Sequence, residues 1–143
     1  MSLLANVSCV SIEGRGLLIE GYTGSGKSSL ALELIDRGAI LIGDDGVRLE
    51  QRGEQLWAHP PPNITGKLEI RGVGIILIEA TSAPLALVLT LDEVADRLPE
   101  PMWVARDSIQ LPRLGFSADR PLAGLRAEWA LRLHGLPIDG GAR

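Results

Sequence analysis

Thiols are almost absent. Cys9 is the one cysteine among 143 residues, which excludes an internal disulfide framework and a cysteine-rich zinc site and makes a reducing, cytoplasmic compartment the expectation. Lysine is nearly as scarce, with Lys27 and Lys67 against twelve arginines. The 14 basic and 18 acidic side chains leave a formal charge of −4, so no bulk positive field exists to hold a phosphate backbone and nucleic acid is not an expected partner. Long apolar runs are missing too. The stretch 83–91 falls far short of the roughly 20 residues of a membrane span, and residues 1–14 lack the positive flank and apolar block of a secretion signal. No membrane association is expected. Aromatic residues are few, and no run of interleaved basic and aromatic residues surrounds Trp57, Trp103 or Trp129, so they read as core or interface packing rather than base-stacking platforms.

What is present describes one compact domain spanning 1–143. Apolar residues make up 45% and charged residues 22%, enough to bury a core but in a chain too short for two ordinary domains. The 17 glycines and 9 prolines follow no repeating period, which excludes collagen-like and solenoid chains. Residues 7–12 and 17–19 read as two short strands around the turn Gly14-Arg15-Gly16. A helix is expected from Ser28, with Leu30, Leu34 and Ile35 on one face and Gly38 as its stop. Residues 39–42 form a short apolar strand that ends at Asp44-Asp45. A hairpin follows at 47–50 and 55–58, then a loop over 59–66 where three prolines forbid regular structure. Strands are read at 75–78 and 85–91; residues 99–112 have no clear period. A last helix is expected over 121–134, with Leu122, Leu125, Trp129 and Leu133 as its apolar face and Gly135 at its exit.

Residues 21–28 read GYTGSGKS and satisfy G-x-x-x-x-G-K-[ST] between a strand and a helix, the context that a phosphate loop requires. Gly21, Tyr22, Thr23, Gly24, Ser25, Gly26, Lys27 and Ser28 are therefore the expected nucleotide-binding residues. The glycines let backbone N–H groups converge on phosphate oxygens where side chains would collide, and the helix amino terminus adds a favourable dipole. Lys27 would reach the β and γ phosphates, and the Ser28 hydroxyl would bind Mg²⁺.

Such a loop takes a further acid from the end of a neighbouring strand. Two segments offer one: residues 39–45 end at Asp44-Asp45, and residues 85–92 end at Asp92, which also suits a helix cap before Glu93-Val94-Ala95. Adjacent carboxylates repel when both are ionised, so the doublet is hard to place unless a cation or a hydroxyl substrate uses one of them. General-base catalysis by one would contribute roughly 10²–10⁴ in rate. The stretch 68–76, LEIRGVGII, reads by alternation as an edge strand with an outward Glu69–Arg71 ion pair.

Taken together, GYTGSGKS, the following ALELIDRG, the doublet Asp44-Asp45-x-Val47 and LEIRGVGII resemble the catalytic domain of the HPr kinase/phosphorylase family, in its short form without an amino-terminal domain. The resemblance is dense over about residues 6–80. It implies an α/β phosphate-loop kinase fold of the phosphoenolpyruvate-carboxykinase-like type, a mixed sheet with flanking helices, using ATP and Mg²⁺. It implies the phosphocarrier protein HPr as the substrate partner, phosphorylated on a serine in the regulation of carbon metabolism, and assembly into a homo-hexamer. It gives Lys27 the phosphate role, Asp45 the role of proton acceptor for the serine hydroxyl, and Ser28, Asp44 and Glu69 the metal. Arg97, in DRLP, is matched to an active-site arginine.

Three positions depart from the family pattern. Asn6 stands where family members carry a catalytic histidine, and an amide cannot change charge between pH 5 and 8. Gly38-Ala39 replaces a frequent Gly-His. The Pro-x-x-x-Gly-Arg-Asn loop linked to phosphate removal has no counterpart in LPRLGFSADRP, so kinase activity is expected ahead of phosphorylase activity. Two other readings stay open on the residues: another phosphate-loop enzyme, such as a small-molecule kinase or NTPase, and a nucleotide-sensing module that binds ATP without turnover. His59 and His134 lack partners for a metal role and read as a loop residue and a helix-end residue. Cys9 reads as a small buried side chain.

Overall fold

The computed structural model describes residues 1–137. In chain order it holds β1 (Ser2–Ala5), β2 (Ser8–Ile12), β3 (Arg15–Glu20), α1 (Lys27–Asp36), β4 (Ile40–Gly43), β5 (Gly46–Arg52), β6 (Gln55–His59), β7 (Lys67–Ile70), β8 (Gly74–Leu77), β9 (Ala83–Thr90), β10 (Met102–Arg106), β11 (Ile109–Gly115) and α2 (Ala123–His134). The fold is mixed α/β. A curled sheet runs β1-β5-β6-β9-β3-β2-β4, with β11 pairing β9 and β10 pairing β11, and β7-β8 forms a separate hairpin. No helix among the described residues is long and apolar enough to cross a membrane.

Alternation along the strands builds two cores. Val10, Leu17, Ile19, Leu87 and Leu89 face α1 and α2, meeting Leu30, Ala31, Leu34, Ala127 and Leu131. Cys9, Leu18, Ile42 and Val88 face the other way, onto Val47, Leu49, Leu56 and Ala58 of the curled hairpin. Both flanking helices thus lie on one face of the sheet, and the sheet covers its own second face. Cys9 is buried as read, and burial pushes its thiol pKa well above the usual range. Its thiol is therefore expected to react with a disulfide reagent only at the rate of global unfolding, while denaturant should make it react at once.

Several expectations need correction. Helix α2 does not bury Leu122, Trp129 and Leu133, which are 68%, 58% and 77% exposed. It turns Ala123, Gly124, Ala127 and Glu128 inward instead. The cause is close approach to α1: the Gly124 N–H donates to Glu33 Oε1 at 3.0 Å and Arg37 donates to Glu128 Oε1 at 2.9 Å, so small residues belong at the crossing. Trp103 is also exposed, on the outer hairpin, and neither it nor Trp129 is core. Only Trp57 is half-buried, beneath the Arg52 guanidinium.

His59 is not a loop residue. It ends β6, with Nδ1 bonded to Ser82 Oγ and Nε2 to Glu50 Oε1, each at 2.7 Å, and this bond holds the Glu50 carboxyl below the usual range. No ion pair links Glu69 to Arg71 among the described residues. β7 stops at Ile70, where Val73 N–H closes a turn on Ile70 O at 2.9 Å, and Arg71 falls inside that turn. Strands β1, β10 and β11 lie where no strand was read.

Candidate active site

Parallel strands place the loop. Gly21 follows β3 directly, and residues 21–26 lead into α1, whose N-cap Gly26 has φ 104°. Gly24, at φ 87°, supplies the second left-handed turn, with nothing within 4 Å of the space above it. These two conformations favour glycine. Gly21 is fixed by crowding, because a Cβ there would stand 2.5 Å from Ser25 Oγ. The Lys27 ammonium donates to Gly21 O at 2.7 Å and Tyr22 O at 2.9 Å, which anchors the charge at the loop and leaves one N–H. Leu30 N–H is the first to bond back into the helix, to Gly26 O, so the N–H groups of residues 27–29 remain available to an anion.

The acid doublet is set by a bend as tight as the loop. β4 ends at Gly43, where a Cβ would lie 2.2 Å from Gly46 O, so no larger residue fits. After it the two carboxylates separate. Asp44 turns inward and is 9% exposed; its Oδ1 accepts the Ser8 hydroxyl at 2.7 Å and the Ser28 hydroxyl at 2.8 Å. Asp45 stays exposed at φ 64°. Beside it runs the β1–β2 bend, where Asn6 at φ 62° donates its N–H to Asp45 O at 3.2 Å. Asp and Asn are the non-glycine residues that best tolerate this region.

The structure therefore brings Lys27, Ser28 and Asp44 together, with Asp45 next in chain. Ser28 and Asp44 are hard oxygen donors of the kind Mg²⁺ takes, usually one or two from protein with water and phosphate completing the shell. Glu69 stands on the β7–β8 hairpin opposite Ile75, exposed while its neighbour Leu68 is buried against the helices. It makes no hydrogen bond or ion pair with Ser28, Asp44 or Lys27, and no three acidic, His or Cys side chains converge among the described residues. Arg97 is exposed in the segment after β9 and has no bond to the loop. Asp92 lies in a turn and starts no helix.

Three residues near the loop were missed. Ser8 holds Asp44 from 36 positions away. Arg106 grips Glu20, the residue before Gly21, through Nε at 2.9 Å and Nη2 at 2.6 Å, and the Glu20 carboxylate raises the guanidinium pKa. Arg113 bonds Thr90 Oγ1 at 3.2 Å and Glu93 at 2.7 Å. None carries a local signal, since each meets its partner only through sheet pairing.

Comparison with known proteins places these residues in a family context. A model described as the HPr Serine kinase C-terminal domain matches residues 3–83. The HPr kinase/phosphorylase of Exiguobacterium sp. is 52% identical over 68 residues, which cover 47% of this chain and 22% of that protein. That of Limosilactobacillus reuteri is 39% identical over 111 residues, covering 77% of this chain and 34% of that protein. The chain thus spans about a third or less of the length of these curated relatives. The solved Hpr(Ser) kinase/phosphatase of Coxiella burnetii superposes with a TM-score of 0.75 at 26% identity, covering 94% of this chain and 96% of that one.

Proposed function

On the premise that this chain belongs to the HPr serine kinase C-terminal domain family, we propose that it is an ATP- and Mg²⁺-dependent kinase that phosphorylates a serine of HPr. The observation that carries the reading is Asp44 Oδ1 receiving both Ser8 and Ser28 beside the glycine loop. The available N–H groups of residues 27–29 and the Lys27 ammonium suit a triphosphate tail. Ser28 and Asp44 would hold Mg²⁺, which would supply positive charge against the triphosphate. Asp45, exposed one residue beyond, accepts the proton of the incoming serine hydroxyl as that oxygen forms its bond to the γ phosphorus. The bond from the γ phosphorus to the β-phosphate oxygen breaks, and ADP leaves. Lys27 steadies the charge on the transferring group. Glu69 is proposed as a further acid for the metal and Arg97 as a group that meets the transferring phosphate, both from exposed positions.

The test is direct. Incubated with ATP, Mg²⁺ and its cognate HPr, the chain should add one phosphoryl group to HPr, located on a serine by mass spectrometry. Hydrolysis of ATP with no labelled HPr would support an NTPase instead, and ATP binding without turnover a sensing module.

Ser8 gives a finer test. It acts through Asp44 as a positioning residue, fixing the carboxylate that helps hold the cation. Ser8→Ala is expected to raise the Mg²⁺ concentration needed for half-maximal activity by about 10- to 100-fold, the range seen when a residue that orients a metal ligand is lost. Ser8→Thr, which keeps the hydroxyl, should restore it. An unchanged Mg²⁺ requirement in Ser8→Ala would remove the assignment.

A further inference from the structure

A phosphate loop attracts anions, yet the residue that delivers the chain into it is an acid. Glu20 is the last residue of β3 and directly precedes Gly21. Its backbone is fixed in the sheet: Glu20 is paired with Thr90, and its carbonyl accepts the Leu91 N–H at 2.8 Å. Its side chain is 18% exposed, so salt and water screen that carboxylate poorly. Left alone, the charge would act on the loop in two ways. It would repel a triphosphate through a medium of lower dielectric than water. It would also compete for Lys27, whose ammonium bonds the carbonyls of the next two residues, Gly21 and Tyr22.

Both effects are cancelled from far along the chain. Arg106 meets the Glu20 carboxylate with two bonds, Nε to Oε2 at 2.9 Å and Nη2 to Oε1 at 2.6 Å, the forked geometry that a guanidinium provides. Its Nη1 donates to Ala105 O at 2.8 Å. The path of the hairpin makes this contact. β11 is paired with β9 only over Arg113–Gly115, and the rest of the β10–β11 arm packs Val104 and Ile109 against the second core. Its tip has two anchors, Arg106 on Glu20 and Asp107 accepting the Ser2 hydroxyl. Arg113, on the same hairpin, is taken by Glu93 and Thr90. Arg106 is thus the one ion-pair partner of Glu20 among the described residues.

We infer that Arg106 is a positioning residue for nucleotide binding: it cancels the Glu20 charge at the base of the loop, so that no uncompensated carboxylate repels the triphosphate or draws Lys27 away from it. The inference rests on the loop binding a triphosphate. It differs from mechanical support in one testable respect. A strap between hairpin and sheet needs the pair intact, whereas cancellation of a charge works equally well when both charges are removed.

Calorimetry of ATP with Mg²⁺ on the full chain, beside HPr phosphorylation, separates the two with four variants. Arg106→Gln leaves Glu20 uncompensated and is expected to weaken ATP by about five- to tenfold, as a rise in KM with kcat within a factor of about two. That loss should shrink as salt is raised. Arg106→Lys, which keeps the charge but not the fork, should bind ATP within about twofold of wild type. Glu20→Gln should bind ATP at least as well as wild type. The double variant Glu20→Gln/Arg106→Gln, with neither charge, should regain wild-type affinity. A double variant as weak as Arg106→Gln, or weakening in Glu20→Gln, would make the pair a strap and overturn the inference. Unchanged affinity in Arg106→Gln would overturn it too. If Arg106→Gln does not fold, Glu20→Gln and the double variant decide by the same criteria. In each of these cases wild type still binds ATP and the loop reading stands; failure of wild type to bind ATP with Mg²⁺ would end the loop reading and this inference with it.

Discussion

Asp45→Asn is expected to lower phosphoryl transfer to HPr by roughly 10²–10⁴, the contribution of a positioned general base, while the affinity for Mg²⁺ and ATP stays within a factor of about two. The reason lies in how the doublet divides. Asp44 has both hydroxyl partners and points inward; Asp45 is exposed, with its backbone, not its side chain, tied to Asn6. Removing the Asp45 carboxylate therefore removes no bond that builds the loop. Asparagine suits the φ of 64° as well as aspartate does, so folding should be unaffected. Rapid-quench measurement of transfer, beside titration of ATP binding, separates the two quantities. Transfer at the wild-type rate would move the base elsewhere, and a parallel collapse of ATP binding would make Asp45 a binding residue.

Lys27→Met should act on both. Its ammonium is fixed to Gly21 O and Tyr22 O, so the charge sits at the loop before any ligand arrives and little reorganisation is left to do. Loss of one preorganised donor of this kind costs about 10²–10³ in rate, and ATP affinity should fall as well, because the same charge meets the ground-state triphosphate. Methionine keeps the length of the stem at an intermediate-burial position but gives up both carbonyl bonds, so the melting temperature is to be measured beside the kinetics. Comparing the kinetics with those of Asp45→Asn gives the pattern that matters: the lysine variant weakens binding and rate, the aspartate variant rate alone. Near-normal ATP binding in Lys27→Met would contradict the phosphate role.

Much of this site could be read from the residues because its parts are local. The glycine loop needs no tertiary information: eight consecutive residues carry it, and the strand before and the helix after are both short-range patterns. The doublet was legible for a similar reason, as two adjacent charges at the end of an apolar run, although only the fold separates an inward Asp44 from an exposed Asp45. Ser8 was not legible. A serine inside a strand is unremarkable until β2 is seen between β3 and β4, which brings it to a carboxylate far along the chain. Arg106 was equally hidden, since it reaches Glu20 only because the β10–β11 hairpin packs over the second core.

The misread face of α2 has a different cause. Periodicity finds large apolar residues, and Leu122, Trp129 and Leu133 have the right spacing. Two helices that cross closely, however, need small residues and paired polar groups at the crossing, and Ala123, Gly124 and Ala127 with Glu128 supply them. Strands β10 and β11 escaped because their hairpin lies at an edge, mostly open on β10, so apolar alternation is weak. Pro112 also lies within β11, opposite Trp103, where a proline argues locally against a strand.

A structure of the chain with Mg²⁺ and a non-hydrolysable ATP analogue tests the central claim most directly. The account predicts the β and γ phosphates inside residues 21–28, Lys27 on the γ end, and the metal within about 2.1 Å of Ser28 Oγ, with Asp44 still bonded to Ser8 and Asp45 facing the outermost phosphorus. Phosphates bound away from the loop, or a metal held without Ser28 and Asp44, would contradict it.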